Sequence, residues 1–202
     1  MFKFCLGSIG GEKRLPLYDS VGVQVDSESS RFVVISGLPG SGKSSLAQRL
    51  SAPLALPVID KDDILEALFE AKGVGDDAWR RALSRESDLI LRGRAEASSG
   101  AILVSFWRLP GMGEGSGTPT DWLADLVGRR LHLRCLCPVE IAAARFNRRQ
   151  RHPGHRDRSR SFEEILENIR SVARLGSLEL EPRIDVDTSG GLDLENLVGQ
   201  IR

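Results

Sequence analysis

The sequence predicts an α/β domain in which a parallel β-sheet carries helices on both faces. Short apolar runs rich in β-branched residues recur along the chain, and stretches with a helical spacing of apolar residues fill the intervals between them. Strands that alternate with helices are joined by right-handed crossovers into a parallel sheet. At 202 residues, of which 41% are hydrophobic, the chain is large enough for one compact domain with its own core.

Five runs have the composition of β-strands. The first is β-branched and ends at a serine and a glycine, as expected of a buried strand that leads into a turn. The fifth alternates apolar and polar residues, so we expect it at or near an edge of the sheet. The predicted strands cover residues 32–35, 57–59, 101–104, 131–136 and 183–186.

Seven segments have helical patterns. Ser161 and Glu164 form the Ser-x-x-Glu capping box that opens a helix. Either Thr120 or Asp121 is expected to cap a short helix further upstream. The predicted helices cover residues 42–50, 61–71, 76–98, 121–127, 139–150, a segment that starts at 161, and 192–201.

The organisation and charge of the chain exclude several classes of protein. Residues 1–30 are rich in glycine, serine and charge and are predicted to form a leader, either a peripheral strand or partly disordered, before a domain over residues 31–202. Lys+Arg and Asp+Glu both total 28, so neither a general nucleic-acid binder nor a membrane binder is indicated. No run is long enough to span a membrane. Three cysteines, an odd number, make no disulfide framework, and we expect a cytoplasmic protein.

A glycine-rich turn after the first strand has the pattern G-x-x-x-x-G-K-[ST] at every fixed position. Backbone N–H groups of such a loop surround a phosphate, and the dipole of the following helix favours the same anion. The lysine places a cation on the β- and γ-phosphates, and the final hydroxyl group completes a Mg²⁺ shell. The matching residues are Gly37, Leu38, Pro39, Gly40, Ser41, Gly42, Lys43 and Ser44.

Three carboxylates follow the second predicted strand. Asp60, Asp62 and Asp63 lie where the carboxyl ends of the strands face the ligand crevice. If the second strand neighbours the first, they lie beside the γ-phosphate. The alternative is that Asp62 or Asp63 only caps the next helix. Because the third and fourth strands end in Ser105 and Cys137, we interpret the second strand as the only one that supplies an acid, for both metal and base.

An arginine-rich segment over residues 145–160, here called the lid, follows the fourth strand. Arg145, Arg148 and Arg149 have the spacing of one helix face. The pair Pro153 and Gly154 is predicted to break the helix and form a mobile joint. We interpret the segment as a closing element whose arginines, Arg145 and Arg149 first among them, reach the transferring phosphoryl group. A solvated basic helix and an RNA-binding patch are the alternatives.

Aromatic residues mark the exit of the third strand. Phe106 and Trp107 lead into a glycine-rich loop over residues 109–118. These side chains either form an acceptor pocket or pack beneath the loop, and the sequence does not distinguish the two. Trp79 and Trp122 are expected on helix faces that point into the core.

Taken together, these motifs resemble the small P-loop kinases, a group with gluconate kinase, chloramphenicol phosphotransferase, zeta toxins and polynucleotide-kinase-like AAA-family ATPase domains. The resemblance rests on residues 37–45, 58–63, 145–156 and 186–189, and it extends the phosphate loop to Ser45. It implies a three-layer fold with a five-stranded sheet in the order 2-3-1-4-5, the use of ATP and Mg²⁺, and a position near adenine for the loop that includes Thr188.

The resemblance also implies roles for the acids. In polynucleotide kinases the first of the paired acids is the base, which corresponds to Asp62 here, and we assign Asp60 with Ser44 to the metal. Those enzymes carry an arginine shortly after the pair, where this chain has Leu65. We therefore expect a kinase that phosphorylates a hydroxyl group of a small molecule. A nucleic-acid 5′-hydroxyl kinase, or an ATP-binding or ATPase module without an acceptor, are the alternatives.

Overall fold

A computed structural model of the protein describes residues 30–156 and 160–202. Its five strands form one parallel sheet in the order β2-β3-β1-β4-β5, which confirms the predicted fold class, the strand order and the edge position of the fifth strand. The strands are β1 Arg31–Gly37, β2 Val58–Asp60, β3 Gly100–Val104, β4 Arg129–Leu136 and β5 Arg183–Asp187. The predicted leader lies outside the described residues, apart from Ser30.

Helices fill the connections between the strands. Within the described ranges six are α-helical: α1 Lys43–Leu54, α2 Lys61–Lys72, α3 Asp77–Glu96, α4 Val139–Arg148, α5 Phe162–Arg174 and α6 Leu194–Ile201. Ser161 caps α5 in the predicted capping box with Glu164. The helix predicted over residues 121–127 is instead a 3₁₀ turn, Asp121–Asp125. It is short because the chain turns into β4 at Gly128, whose φ of 113° and close contact with Ser30 suit only glycine.

The core has a layer on each face of the sheet. Along β1, Phe32 and Val34 point to the layer that contains α2 and α3, whereas Val33 and Ile35 point to the layer that contains α1 and α6. This alternation follows from the two-residue period of a strand. A smaller cluster joins α4 to α5 beside the sheet.

One of the two tryptophans expected in the core does not lie there. Trp122 is buried, as predicted, but the side chain of Trp79 is 41% exposed. Its indole nitrogen donates to the carbonyl oxygen of Gly73 at 3.2 Å, and its ring lies over Gly75. Trp79 therefore covers the turn between α2 and α3 at the edge of the molecule.

None of the helices in the described ranges has the length and apolar character that crossing a bilayer requires.

Candidate active site

The phosphate loop connects β1 to α1 at the carboxyl edge of the sheet. Gly40 and Gly42 have positive φ values of 80° and 95°, which a side chain would strain. Gly42 begins α1 without a side-chain cap, so the first N–H groups of the helix are left for a ligand. The loop thus has the backbone geometry that the motif predicts for an anion site.

Lys43 lies in the first turn of α1 and folds back over this loop. Its Nζ donates to the carbonyl oxygens of Gly37 and Leu38, each at 3.0 Å. Burial lowers the pKa of Lys43, while the nearby carboxylates of Asp62 and Asp60 oppose that shift. A phosphate group in the loop would provide the negative charge that this buried ammonium group lacks.

Ser44 and Asp60 bring two oxygen atoms together next to the loop. Ser44 Oγ donates to Asp60 Oδ2 at 2.6 Å, and Asp60 Oδ1 accepts the N–H of Asp62 at 2.9 Å. Burial raises the pKa of Asp60 above its usual value. Hydroxyl and carboxylate oxygens are the ligands that Mg²⁺ prefers, and a cation would relieve the cost of burying this carboxylate. The two residues therefore fit a magnesium ion.

The sheet order changes how the acids reach the phosphate loop. The second strand does not neighbour the first: β3 lies between them, with Asp60 in register with Val104 and Val104 with Ile35. The contact is still made, because α1 packs against β3 and extends Ser44 towards β2. It is Asp60, not Asp62 or Asp63, that caps α2.

The interpretation that only the second strand supplies an acid is wrong. The fifth strand ends at Asp187, which accepts from the backbone N and the Oγ of Ser189 at 2.8 and 2.6 Å. That strand lies at the opposite edge of the sheet from β2. Asp187 therefore stabilises its own turn, and Asp60 is the strand-end acid that meets the phosphate loop.

Asp62 faces the cleft and is paired with arginines of the lid. Its Oδ2 lies 2.6 Å from Arg151 Nη2 and 3.5 Å from Arg149 Nη2. Burial favours the neutral acid, but the positive charges around the carboxylate, foremost Arg151, outweigh it and lower the pKa of Asp62. Asp63 is exposed and does not line the cleft, and burial together with the charge of Glu66 raises its pKa. Of the two paired acids, Asp62 is thus the ionised one in the cleft.

The predicted arginine face is divided in the structure. α4 ends at Arg148, so Arg149 lies beyond the helix in extended backbone and turns towards Asp62. Arg145 points the other way and donates to the carbonyl oxygens of Thr188 and Ser189 at 2.7 and 2.9 Å. Arg145 and Arg149 both line the cleft, whereas Arg148 does not. The early end of α4 is the reason that the three do not share one face.

The segment predicted as a mobile joint is packed against α2. Gly154 is buried on the ring of Phe69, where a Cβ atom would lie 2.5 Å from Cδ2. His152 stacks on the same ring and lies 3.1 Å from Glu70. His155 meets the ring edge on and lies 2.9 Å from Glu66. Gly154 is therefore a close-contact position that holds the lid on α2.

The aromatic pair at the end of β3 separates into the two roles that the sequence left open. Trp107 is buried, and its indole nitrogen donates to the carbonyl oxygen of Ile35 at 2.8 Å, so it packs in the core. Phe106 lines the cleft.

Lys61, which lies between Asp60 and Asp62 in the sequence, pairs with Asp88 at 2.5 Å. Asp88 also accepts from Thr118 at the end of the glycine-rich loop, which ties that loop to the cleft wall.

These elements enclose one cleft of about 660 Å³ that runs from the phosphate loop to α3, the lid and α5. The residues predicted for the site line it, with the exceptions of Gly37, Leu38, Ser41, Asp63 and Thr188. Sequence reasoning missed Arg80 and Ser84 of α3, which also line it. Their four-residue spacing puts them on one helix face, but nothing in the sequence marks that face as part of the site.

Comparison with known proteins gives a family and a fold. The model of a family described as an AAA domain matches residues 32–175. The structure of a candidate kinase from Chloroflexus aurantiacus is 24% identical, with a TM-score of 0.68 over 87% of this chain and 98% of that one. Shikimate kinase from Bacteroides thetaiotaomicron is 19% identical, with a TM-score of 0.53 over 85% and 95% of the two chains. None of the curated proteins matches significantly. The two structures share the P-loop fold with this protein.

Proposed function

Since the chain belongs to the AAA domain family, we propose that its cleft binds ATP and transfers the γ-phosphoryl group to a hydroxyl group of a small molecule. In this proposal the loop of residues 37–45 binds the triphosphate, and Thr188, which lies near Gly42, contacts the adenine. That the two solved structures with this fold are described as kinases is in keeping with the proposal.

The residues of the cleft have different roles in phosphoryl transfer. Asp62 accepts the proton of the acceptor hydroxyl group as its oxygen forms a bond to the γ-phosphorus, while the bond from that phosphorus to the bridging oxygen breaks and ADP leaves. Lys43, Arg145 and Arg149 offset the charge on the phosphoryl oxygens. Ser44 and Asp60 hold Mg²⁺, which supplies further charge neutralisation when bound.

The observation that carries the proposal is the position of Asp62. Its carboxylate faces the same cleft as Lys43 and Ser44, and the arginines of the lid keep it ionised. A low pKa does not disqualify it, because the transition state of phosphoryl transfer is loose and the base needs to be well placed rather than strong. Mere ATP binding would need the loop and one metal ligand, not a second carboxylate opposite the loop.

The proposal is tested by Asp62→Asn with Asp63→Asn as the matched control. The two carboxylates are adjacent in sequence, but only Asp62 lines the cleft. We expect Asp62→Asn to keep ATP binding and to lose about 10²- to 10⁴-fold in turnover over a panel of small alcohols. Asp63→Asn should stay within a few-fold of the parent. Full turnover by Asp62→Asn would refute its assignment as the base.

Two further outcomes separate the alternatives. Turnover that requires single-stranded oligonucleotides, with small alcohols inert, would favour a nucleic-acid 5′-hydroxyl kinase. Leu65 argues against this, because it puts a buried apolar side chain in the cleft lining where a polynucleotide kinase presents an arginine. ATP hydrolysis that no acceptor stimulates would instead indicate an ATPase or a binding module.

A further inference from the structure

The cleft carries a concentration of positive charge that the chain as a whole does not have. The net formal charge of the protein is zero. Yet, of the residues that the structure describes, two carboxylates, Asp60 and Asp62, line the cleft, against a larger set of cations. Those cations are Lys43, Lys61, Arg80, Arg145, Arg149, Arg151 and Arg160. MgATP neutralises only part of this excess, because the metal cancels part of the charge of the triphosphate.

Most of the cations near the phosphate loop and the acids already have protein partners. Lys43 and Arg145 donate to backbone carbonyl groups, and Lys61 pairs with Asp88. Arg149 and Arg151 pair with Asp62. These groups are held in place whatever the acceptor is, so they do not indicate its chemistry.

Arg80 is different. Its Nε atom is buried, and among residues 30–156 and 160–202 its side chain makes no hydrogen bond or ion pair. A buried guanidinium N–H without a partner is costly, and such a group in a cleft calls for a ligand. Ser84, one helical turn further along α3, lines the same wall.

The position of Arg80 places this group at the acceptor end of the cleft. α3 packs against α2, the helix that carries Asp62, whereas the phosphate loop connects β1 to α1. Apolar side chains of α2 and α5, among them Leu65, Ile165 and Ile169, line the same cleft. In such surroundings a guanidinium group attracts an anion more strongly than it would in water.

We propose that the acceptor is itself an anion, a small hydroxy compound with a carboxylate or phosphate group that Arg80 binds. The inference rests on the proposed function, since it concerns the acceptor of that reaction. Arg80 presents a planar fork of donors, and carboxylate and phosphate oxygens match it in a bidentate manner. Ser84 adds a hydroxyl donor beside it, and Asp62 receives the proton from the hydroxyl group at the other end of the same compound.

Binding is measured first, so that the test does not depend on turnover. The protein with Mg²⁺ and a non-hydrolysable ATP analogue is titrated with matched compounds: glycerol, glycerate and glycerol phosphate, and glucose, gluconate and glucose phosphate. We expect at least one anionic member to bind about tenfold to hundredfold more tightly than its neutral counterpart. The carboxylate and phosphate arms decide which oxyanion the site takes.

The variants are Arg80→Gln and Arg80→Lys, with Arg81→Gln as the matched control. Arg81 is the adjacent residue of α3 but is exposed and does not line the cleft. Arg80→Gln should remove the preference for the anion, and Arg80→Lys should keep part of it, because the charge remains while the bidentate fork is lost. Arg81→Gln should bind as the parent does. ATP-analogue binding should be unchanged in all three.

The outcomes separate this inference from the proposed function. An Arg80-dependent anion that binds but is not phosphorylated would support the anion site and refute the kinase. Phosphorylation of neutral alcohols at least as efficient as that of their acids would refute the anion site and keep the kinase. Failure of every anionic member to bind, or anion binding that Arg80→Gln leaves intact, would also overturn the inference.

Discussion

At the scale of single residues, the phosphate loop shows how tightly the backbone is constrained. Gly40 has a φ of 80°, and a Cβ atom there would lie 2.1 Å from the carbonyl oxygen of Ala142 in α4. Glycine is therefore required at position 40 for two reasons: the backbone conformation and the close approach of α4. α4 and the phosphate loop are therefore in direct contact at Gly40.

We predict that Gly40→Ala lowers the free energy of unfolding by about 2 kcal/mol or more, and weakens ATP binding, because strain and a backbone clash add together. Urea unfolding with and without ATP measures both effects. The control is Gly113→Ala in the exposed glycine-rich loop, where no atom lies within 4 Å of the added Cβ. Equal stabilities of the two variants would show that the loop can relax away from α4.

At the scale of elements, an aromatic ring of α2 is central to the packing of the lid, beside the ion pairs of the lid with Asp62, Glu66 and Glu70. Phe69 contacts His152 on its face and His155 at its edge, and Gly154 lies between them. This packing keeps Arg151 beside Asp62, because the arginine comes just before the histidines in the chain. The geometry of the base therefore depends on contacts made elsewhere on α2.

Gly154→Ala tests that dependence. The added methyl group would meet Phe69, which is buried and has little room to move, so we expect the lid to separate from α2. Trypsin cleavage after Arg149 and Arg151, followed by mass spectrometry, should become several-fold faster. Gly190→Ala, at a position with open space around it, is the control. Unchanged cleavage in Gly154→Ala would contradict the role given to this contact.

At the scale of the whole molecule, two buried histidines connect stability to pH. His132 is fully buried in β4, where Nδ1 donates to the carbonyl oxygen of Leu180 at 3.0 Å and Nε2 accepts from Ser36 Oγ at 2.6 Å. His155 is buried where the lid packs against α2. Burial lowers the pKa of both imidazoles, so the folded protein keeps them neutral where the unfolded chain takes up protons.

The sign of the effect follows from this difference. Stability should be fully present above the unfolded histidine pKa of about 6.5 and decrease as the pH falls below it towards the lowered folded values. We expect the free energy of unfolding to decrease by on the order of 1 kcal/mol between pH 7.5 and pH 5.5. Urea unfolding at several pH values measures it. His132→Gln should be less stable overall but show a smaller dependence on pH, and a slope as steep as that of the parent would exclude His132 as a source.

The fold was largely predictable, and the arrangement of the site was not. Strands such as β1 have local apolar patterns, and the phosphate loop is a contiguous motif, so both can be recognised from the sequence alone. The positions of two side chains depend on where helices begin and end. Arg149 lies beyond the end of α4, and Asp60 rather than Asp62 caps α2. Helix boundaries are the feature that a sequence pattern predicts least precisely.

By itself, the sequence determined a parallel α/β fold with a phosphate loop after the first strand and acids at the end of the second. These features rest on residues close together in the chain. Only the tertiary structure decided that Asp62 faces the cleft among lid arginines and that Arg80 of α3 stands there without a protein partner among the described residues. The physical reason is that the burial and pairing of a side chain depend on which distant segments pack together. The sequence of one helix face does not indicate which segments it will contact.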